Sequence, residues 1–208
     1  MRIEPTTMKY GTHSRDYLRR ARQRLDEGCR DSLFYAAFEI RAGVEARMQQ
    51  YLQAQEDASR KKKRGWKIAV LGAELERMFR IGDKVVEVAV LDAADIPEVV
   101  LYYTPVKNAL RKTAQQLGDY LHAGRFHELD DPWWTQLRAL LEGACSELER
   151  ANLGVLVGPP LLNPRTATMS MQREVLPHED PETARNAIGS VGKRGRLRIR
   201  YLDSVPAP

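Results

Sequence analysis

Four histidines and two cysteines are the scarce chemistry-bearing residues of this 208-residue chain. His122 and His127, with Glu128, Asp130 and Asp131 just beyond, gather imidazole and carboxylate donors of the kind that hold divalent metals. Their spacing matches no recognised ligand pattern and no cysteine joins them, while an imidazole at a helix end is satisfied by the terminal carbonyls and the negative end of the helix dipole. The run GSVGKRG suggests a phosphate cradle. A P-loop, however, needs a glycine five positions before Gly192 and a Ser or Thr after Lys193, where Ala187 and Arg194 stand, so a glycine-relaxed turn is the better account. Gly-x-Ser-x-Gly, HExxH and CxxC are all missing from the sequence. No metal and no cofactor are expected.

Charge gives a second kind of chemistry. The formal net charge is +5, and it is concentrated. RKKKRGWK at 60–67 holds six basic groups and no acid, Lys61, Lys62 and Lys63 at its centre. In RLRIRYL near the C-terminus, Leu197, Ile199 and Tyr201 alternate with Arg196, Arg198 and Arg200, so a strand there puts the three guanidinium groups on one face, about 6–7 Å apart. That spacing resembles successive phosphates of one strand, which makes RNA or DNA a candidate partner. The alternatives are a solvated loop for the lysine run and an arginine-rich edge strand that blocks aggregation for the tail.

The elements that position these groups begin with DSLFYAAFEIRAGVEARMQQYL at 31–52. Leu33, Ala37, Ile40, Val44, Met48 and Tyr51 recur at steps of three and four, with Phe34, Phe38 and Leu52 widening the stripe, so this is a long core helix. A first helix from Ser14, carrying Leu18, Ala21 and Leu25 and stopped by Gly28, should fold back on it as an αα-hairpin. Arg41 and Glu45 form an i,i+4 pair, read as a local ion pair, although their order opposes the helix dipole and favours a tertiary partner. A third helix is expected from Trp66 to Arg80. KVVEVAVLD and EVVLYYT predict a small hairpin. Thr104–Pro105 and Asp131–Pro132 announce two more helices, running to about Ala123 and Asn152, the former with Gly118 allowing a close neighbour.

Beyond Gly154, prolines and glycines cut the chain into short pieces, with half-buried strands at Ala167–Met171 and Arg196–Leu202 and a short helix from Asp180 to Ile188. The fold class is mainly α, a helical domain over 1–152 with a β-containing extension over 153–208, α+β overall. No apolar run is long enough to span a membrane, the N-terminus lacks a signal-peptide pattern, and Cys29 and Cys145 read as reduced thiols, so a cytoplasmic location without membrane contact is expected.

FEIRAGVEARMQQYL and QQLGDYLHA resemble the second and fourth helices of HEPN-type helical domains, over residues 14–150. The resemblance implies a helical bundle, homodimerisation, and an interaction or regulatory role tied to toxin–antitoxin or phage-defence systems, with nucleic acid or a second protein as partner. It also implies an alternative, a metal-independent endoribonuclease toxin whose signature is an arginine and a histidine four to six residues apart near a helix end. His122 fits the histidine. The nearest upstream arginine on that helix is Arg111, and eleven residues of rise separate the two by about 16 Å, too far for one scissile phosphate. Arg173 and His178 have the spacing but bracket Pro177. An active site would therefore pair His122 with an arginine from another segment or subunit.

Overall fold

Gly28, with φ of 72°, turns the chain between the first two helices. The computed structural model describes residues 10–55, 65–121, 130–163, 168–174 and 196–206. Helix α1 (Ser14–Asp26) and helix α2 (Arg30–Gln53) are the expected αα-hairpin. Leu18, Ala21 and Leu25 of α1 meet the stripe of Leu33, Ala37, Ile40, Val44 and Met48 of α2, all buried. The approach is close because position 43 is glycine: a Cβ there would lie 2.8 Å from Leu148 Cδ2 and 3.1 Å from the Tyr17 Cβ.

Three further helices pack around α2: α3 (Ile68–Phe79), α4 (Asn108–Tyr120) and α5 (Asp131–Ala151). Asp130 caps α5 by accepting the Trp133 N–H at 2.9 Å, one residue earlier than the Asp131–Pro132 signal suggests. Helix α4 starts later than Thr104–Pro105 predicts. The Thr104 hydroxyl donates to the Ala151 carbonyl and accepts the Gly154 N–H, so it cannot cap, and Asp83 receives the Asn108 N–H instead. Phe38 corrects another expectation. It is 50% exposed, because Ala36, Ala37 and Ile40 already fill the side of α2 that meets the core.

Strand β1 (Val85–Leu91) is the centre of a three-stranded antiparallel sheet, with β2 (Pro97–Tyr103) on one edge. The short pair β3 (Leu161–Asn163) and β4 (Thr168–Ser170) forms a separate ribbon, and β5 (Arg196–Leu202) completes the larger sheet by pairing with β1. Val86 and Val88 point to the helices and join the main core, while Glu87 faces the other way. The chain is thus mainly helical with a small antiparallel sheet, α+β overall. No helix among the described residues is long and apolar enough to cross a membrane. The helix expected over 180–188 and the GSVGKRG run lie outside the described residues.

Candidate functional site

Two arginines of α2 sit in opposite circumstances. Arg47, three residues after Val44 and four before Tyr51, falls on the buried stripe and is fully enclosed. Its Nε donates to the Tyr51 hydroxyl at 2.8 Å and to the Ala151 carbonyl at 3.1 Å. Nη1 reaches Gln50 and Glu174, both at 2.8 Å, and Nη2 reaches the Gly154 carbonyl at 2.6 Å. Arg15 of α1 grips the other oxygen of Glu174 at 2.6 Å. Tyr51 donates to the Thr104 carbonyl, so the knot ties α1, α2, the end of α5, the end of β2 and the segment at Glu174 together. Burial alone would push the Glu174 carboxyl up; the hydrogen bonds and charge of Arg15 and Arg47 outweigh it and hold it below its ordinary range. This is architecture: the Ala151 and Gly154 carbonyls that the helix end and the turn leave over are taken by donors of α2.

On the open side of α2, Phe38, Ala42, Glu45, Ala46 and Gln49 line a groove of about 480 Å³ against the start of α1. Its rim is fixed by Arg20, whose guanidinium lies 4.2 Å from the Tyr10 ring centre and 4.5 Å from that of Tyr17, and donates to Glu39 at 2.9 Å and to the Gly11 carbonyl at 2.8 Å. Tyr35, one turn before Phe38, is 61% exposed. Desolvation raises the Glu45 carboxyl above its ordinary range, although Arg41 pulls it the other way.

A second groove, about 450 Å³, opens at Arg41, between the start of α3 and the end of α4. Trp66, Lys67, Gln115, Asp119 and Leu121 line it, with Arg41 among them. Arg41 does not form the local ion pair with Glu45. It crosses to α4, where Nη1 donates to the Ala114 carbonyl at 3.2 Å. Gly118 makes this possible, since a Cβ there would collide with Nη1. The other N–H groups of Arg41 have no protein acceptor among the described residues. Trp66 is 58% exposed, with Lys67 Nζ 5.8 Å from its ring centre. The Gln49 amide donates to the Gly65 carbonyl at 2.9 Å and so anchors the residue before Trp66 to α2.

The residues picked out from sequence fall in several places. Arg111 sits near the opposite end of α4 and packs against α3, where a Cβ on Gly72 would lie 2.8 Å from its Nη1. It lies near the start of α4, away from the last turn that precedes His122 in the sequence. His122, His127, His178 and Lys61, Lys62 and Lys63 lie outside the described residues. Arg196, Arg198 and Arg200 do share one face of β5, an edge strand, opposite the faces of Leu197, Ile199 and Tyr201. They are engaged there. Arg200 holds Glu87 with two hydrogen bonds, at 2.8 and 2.7 Å, Arg198 lies 3.8 Å from the same carboxylate, and Arg196 pairs with Asp95 at 2.8 Å. The Arg200 hydrogen bonds hold the buried Glu87 carboxyl below its usual range against the opposing pull of burial.

Sequence reasoning missed Arg47 and the Trp66 groove. The first carried a signal, an arginine on the buried stripe of a helix. The second did not, because Arg41, Trp66 and Gly118 come together only through tertiary packing. Comparison of the chain with protein-family models, with curated proteins and with solved structures finds no match in any of the three.

Proposed function

We propose that the protein is a homodimeric interaction or regulatory protein of HEPN-like build, two copies meeting through the open face of α2. The HEPN-like reading is supported by the five described helices, four of which pack around the long α2. The dimer rests on one observation: the same two turns of α2 carry an exposed ring, Phe38, and a groove floored by the small residues Ala42 and Ala46. A two-fold axis near Ala42 would run two copies of α2 antiparallel and set each Phe38 over the partner's Ala46, so one patch supplies both knob and hole. Light scattering after gel filtration should give a mass of two chains, and Phe38→Glu should give one chain with an unchanged circular dichroism spectrum. A single-chain mass for the wild type at every concentration tested would end this reading.

The endoribonuclease alternative has one observation in its favour. An arginine from another segment, Arg41, reaches the last turn of α4 and shares a groove with Leu121, the last described residue before His122. Metal-independent RNA cleavage lost in both Arg41→Gln and His122→Ala would support it.

A further inference from the structure

The groove between α3 and α4 combines three features that the dimer does not use. An indole stands largely in solvent at its mouth. A guanidinium on its wall is oriented by one carbonyl and keeps other N–H groups for a ligand. Lys67, which follows the RKKKR run in the sequence, adds a cation to its lining. We propose that this groove binds single-stranded nucleic acid, one base stacked on Trp66 and a neighbouring phosphate held by Arg41.

Each part follows from its chemistry. An exposed indole offers a flat π-face to any base, and such stacking tolerates sequence because every base has one. Ile68 and Leu71 supply the buried contacts of α3, which leaves the Trp66 ring free of the core. A guanidinium presents a planar fork that matches phosphate oxygens, and it is most effective when its orientation is fixed beforehand. Arg41 is fixed in this way by the Ala114 carbonyl and by the space above Gly118. The groove also excludes the main alternative site on this molecule. The arginines of β5 have the spacing of phosphates, but they neutralise Glu87 and Asp95 and so offer less net charge to a ligand. A duplex keeps its bases stacked on each other and cannot supply a free face to Trp66, so the ligand is single-stranded. A base stack and a phosphate contact do not involve the ribose 2′ position, so RNA and DNA share the chemistry proposed.

The test is a titration of fluorescein-labelled twelve-nucleotide oligo-dT and oligo-U, and of a duplex of the same length, by anisotropy at low and moderate salt. Wild-type protein should bind both single strands, weakening as salt rises, and bind the duplex less well. Trp66→Ala should weaken binding about tenfold, the common cost of losing one base–aromatic stack. Gly118→Ala is the sharper variant: it keeps every charge but pushes the Arg41 guanidinium from its seat, and it should weaken binding as Arg41→Gln does. Changing Arg196, Arg198 and Arg200 together to Gln should leave affinity within about twofold, because those groups are already paired. Trp66 is exposed and Gly118 meets only the end of a flexible side chain, so both variants should melt with the wild type. Wild-type affinity in both Trp66→Ala and Gly118→Ala would overturn the proposal and leave the charge of the basic run as the whole effect. Equal binding of the duplex, loss of binding in the β5 variant, or no binding at low salt would overturn it as well. None of these outcomes depends on whether the protein is a dimer, which the same samples report by light scattering.

Discussion

Arg47 and Arg41 stand six residues apart on one helix, and the comparison between them separates what holds the protein together from what is left for a partner. Arg47 has no exposure and five protein acceptors. Arg41 has one, a carbonyl at 3.2 Å, and opens on a groove. Taking a guanidinium out of water costs several kcal/mol unless its hydrogen bonds are replaced, so the interior tolerates Arg47 only because Tyr51, Gln50, Ala151, Gly154 and Glu174 all converge on it. Arg41 is only partly buried, so its cost is smaller, and it opens on the groove with N–H groups that no described residue accepts. A charged side chain with a full set of partners is part of the fold; one with a partial set beside a cavity is available for binding.

The largest effect should come from breaking the first member of the comparison. Arg47→Met leaves the Glu174 carboxylate with Arg15 alone and strips donors from two carbonyls at the end of α5 and the following turn. Loss of one partner from a buried, hydrogen-bonded pair costs about 3–5 kcal/mol. Urea denaturation should show that loss. A change below about 1 kcal/mol would mean that water reaches the knot and that Arg47 is not enclosed as described.

Glu174 sharpens the same point through pH. Its folded carboxyl titrates below the ordinary value, so the unfolded chain binds the proton first. The contribution to stability is complete above the ordinary carboxylate pKa, about 4.3, and is lost as pH falls through the lower folded value. Glu174→Gln should cost about 2 kcal/mol at neutral pH, the scale of a charged hydrogen bond, and should flatten the decline in stability below about pH 4. Parallel curves for the two proteins across that range would show that Glu174 is not held as the pair requires.

How far the sequence led can be judged on these same residues. The α1–α2 hairpin was legible because periodicity and Gly28 are local signals that the packing endorses. Phe38 misled because an apolar stripe wide enough to include it outgrows the side of α2 that the core can cover. Thr104–Pro105 misled in a different way: the local helix-start signal is sound, but the Thr104 hydroxyl is taken by Ala151 and Gly154, which are close only in space. The i,i+4 pair of Arg41 and Glu45 looked local, and the mismatch with the helix dipole was the one hint that Arg41 had business with another helix. The arginine alternation of β5 was read correctly, but not what it faces, since Glu87 lies 113 residues away in the chain from Arg200. Non-local partners decide whether a charge is structural or available, and a single sequence does not contain them.

A middle-sized effect belongs to the sheet. Glu87 is enclosed between Arg200, Arg198 and Tyr102, with the arginines themselves about half exposed, so solvent screens the pairs from one side. Glu87→Gln should therefore cost about 1 kcal/mol, near the upper end for partly exposed pairs. It should also free the β5 guanidinium groups, so any gain in nucleic-acid affinity in this variant would show that pairing with Glu87 had withheld them.

The smallest effect on stability should come from the second member of the comparison. Arg41→Gln removes one hydrogen bond, at 3.2 Å, to a carbonyl that already serves as a helix acceptor on α4. The guanidinium gives up water when it makes that bond, and the glutamine amide, shorter but polar, can hydrate in its place. A neutral exchange of this kind changes stability by about 0.5 kcal/mol or less. The charge on Arg41 also lowers the titration of Glu45, so its removal should let that carboxyl rise further, a shift visible by carbon-detected NMR. If thermal melting showed a loss near that of Arg47→Met, Arg41 would belong to the fold and the groove would lose its reason to be a site. If stability is unchanged while oligonucleotide affinity falls, two arginines of one helix differ in role for the reason their partners give: one is fully partnered by the protein and the other is left to bind.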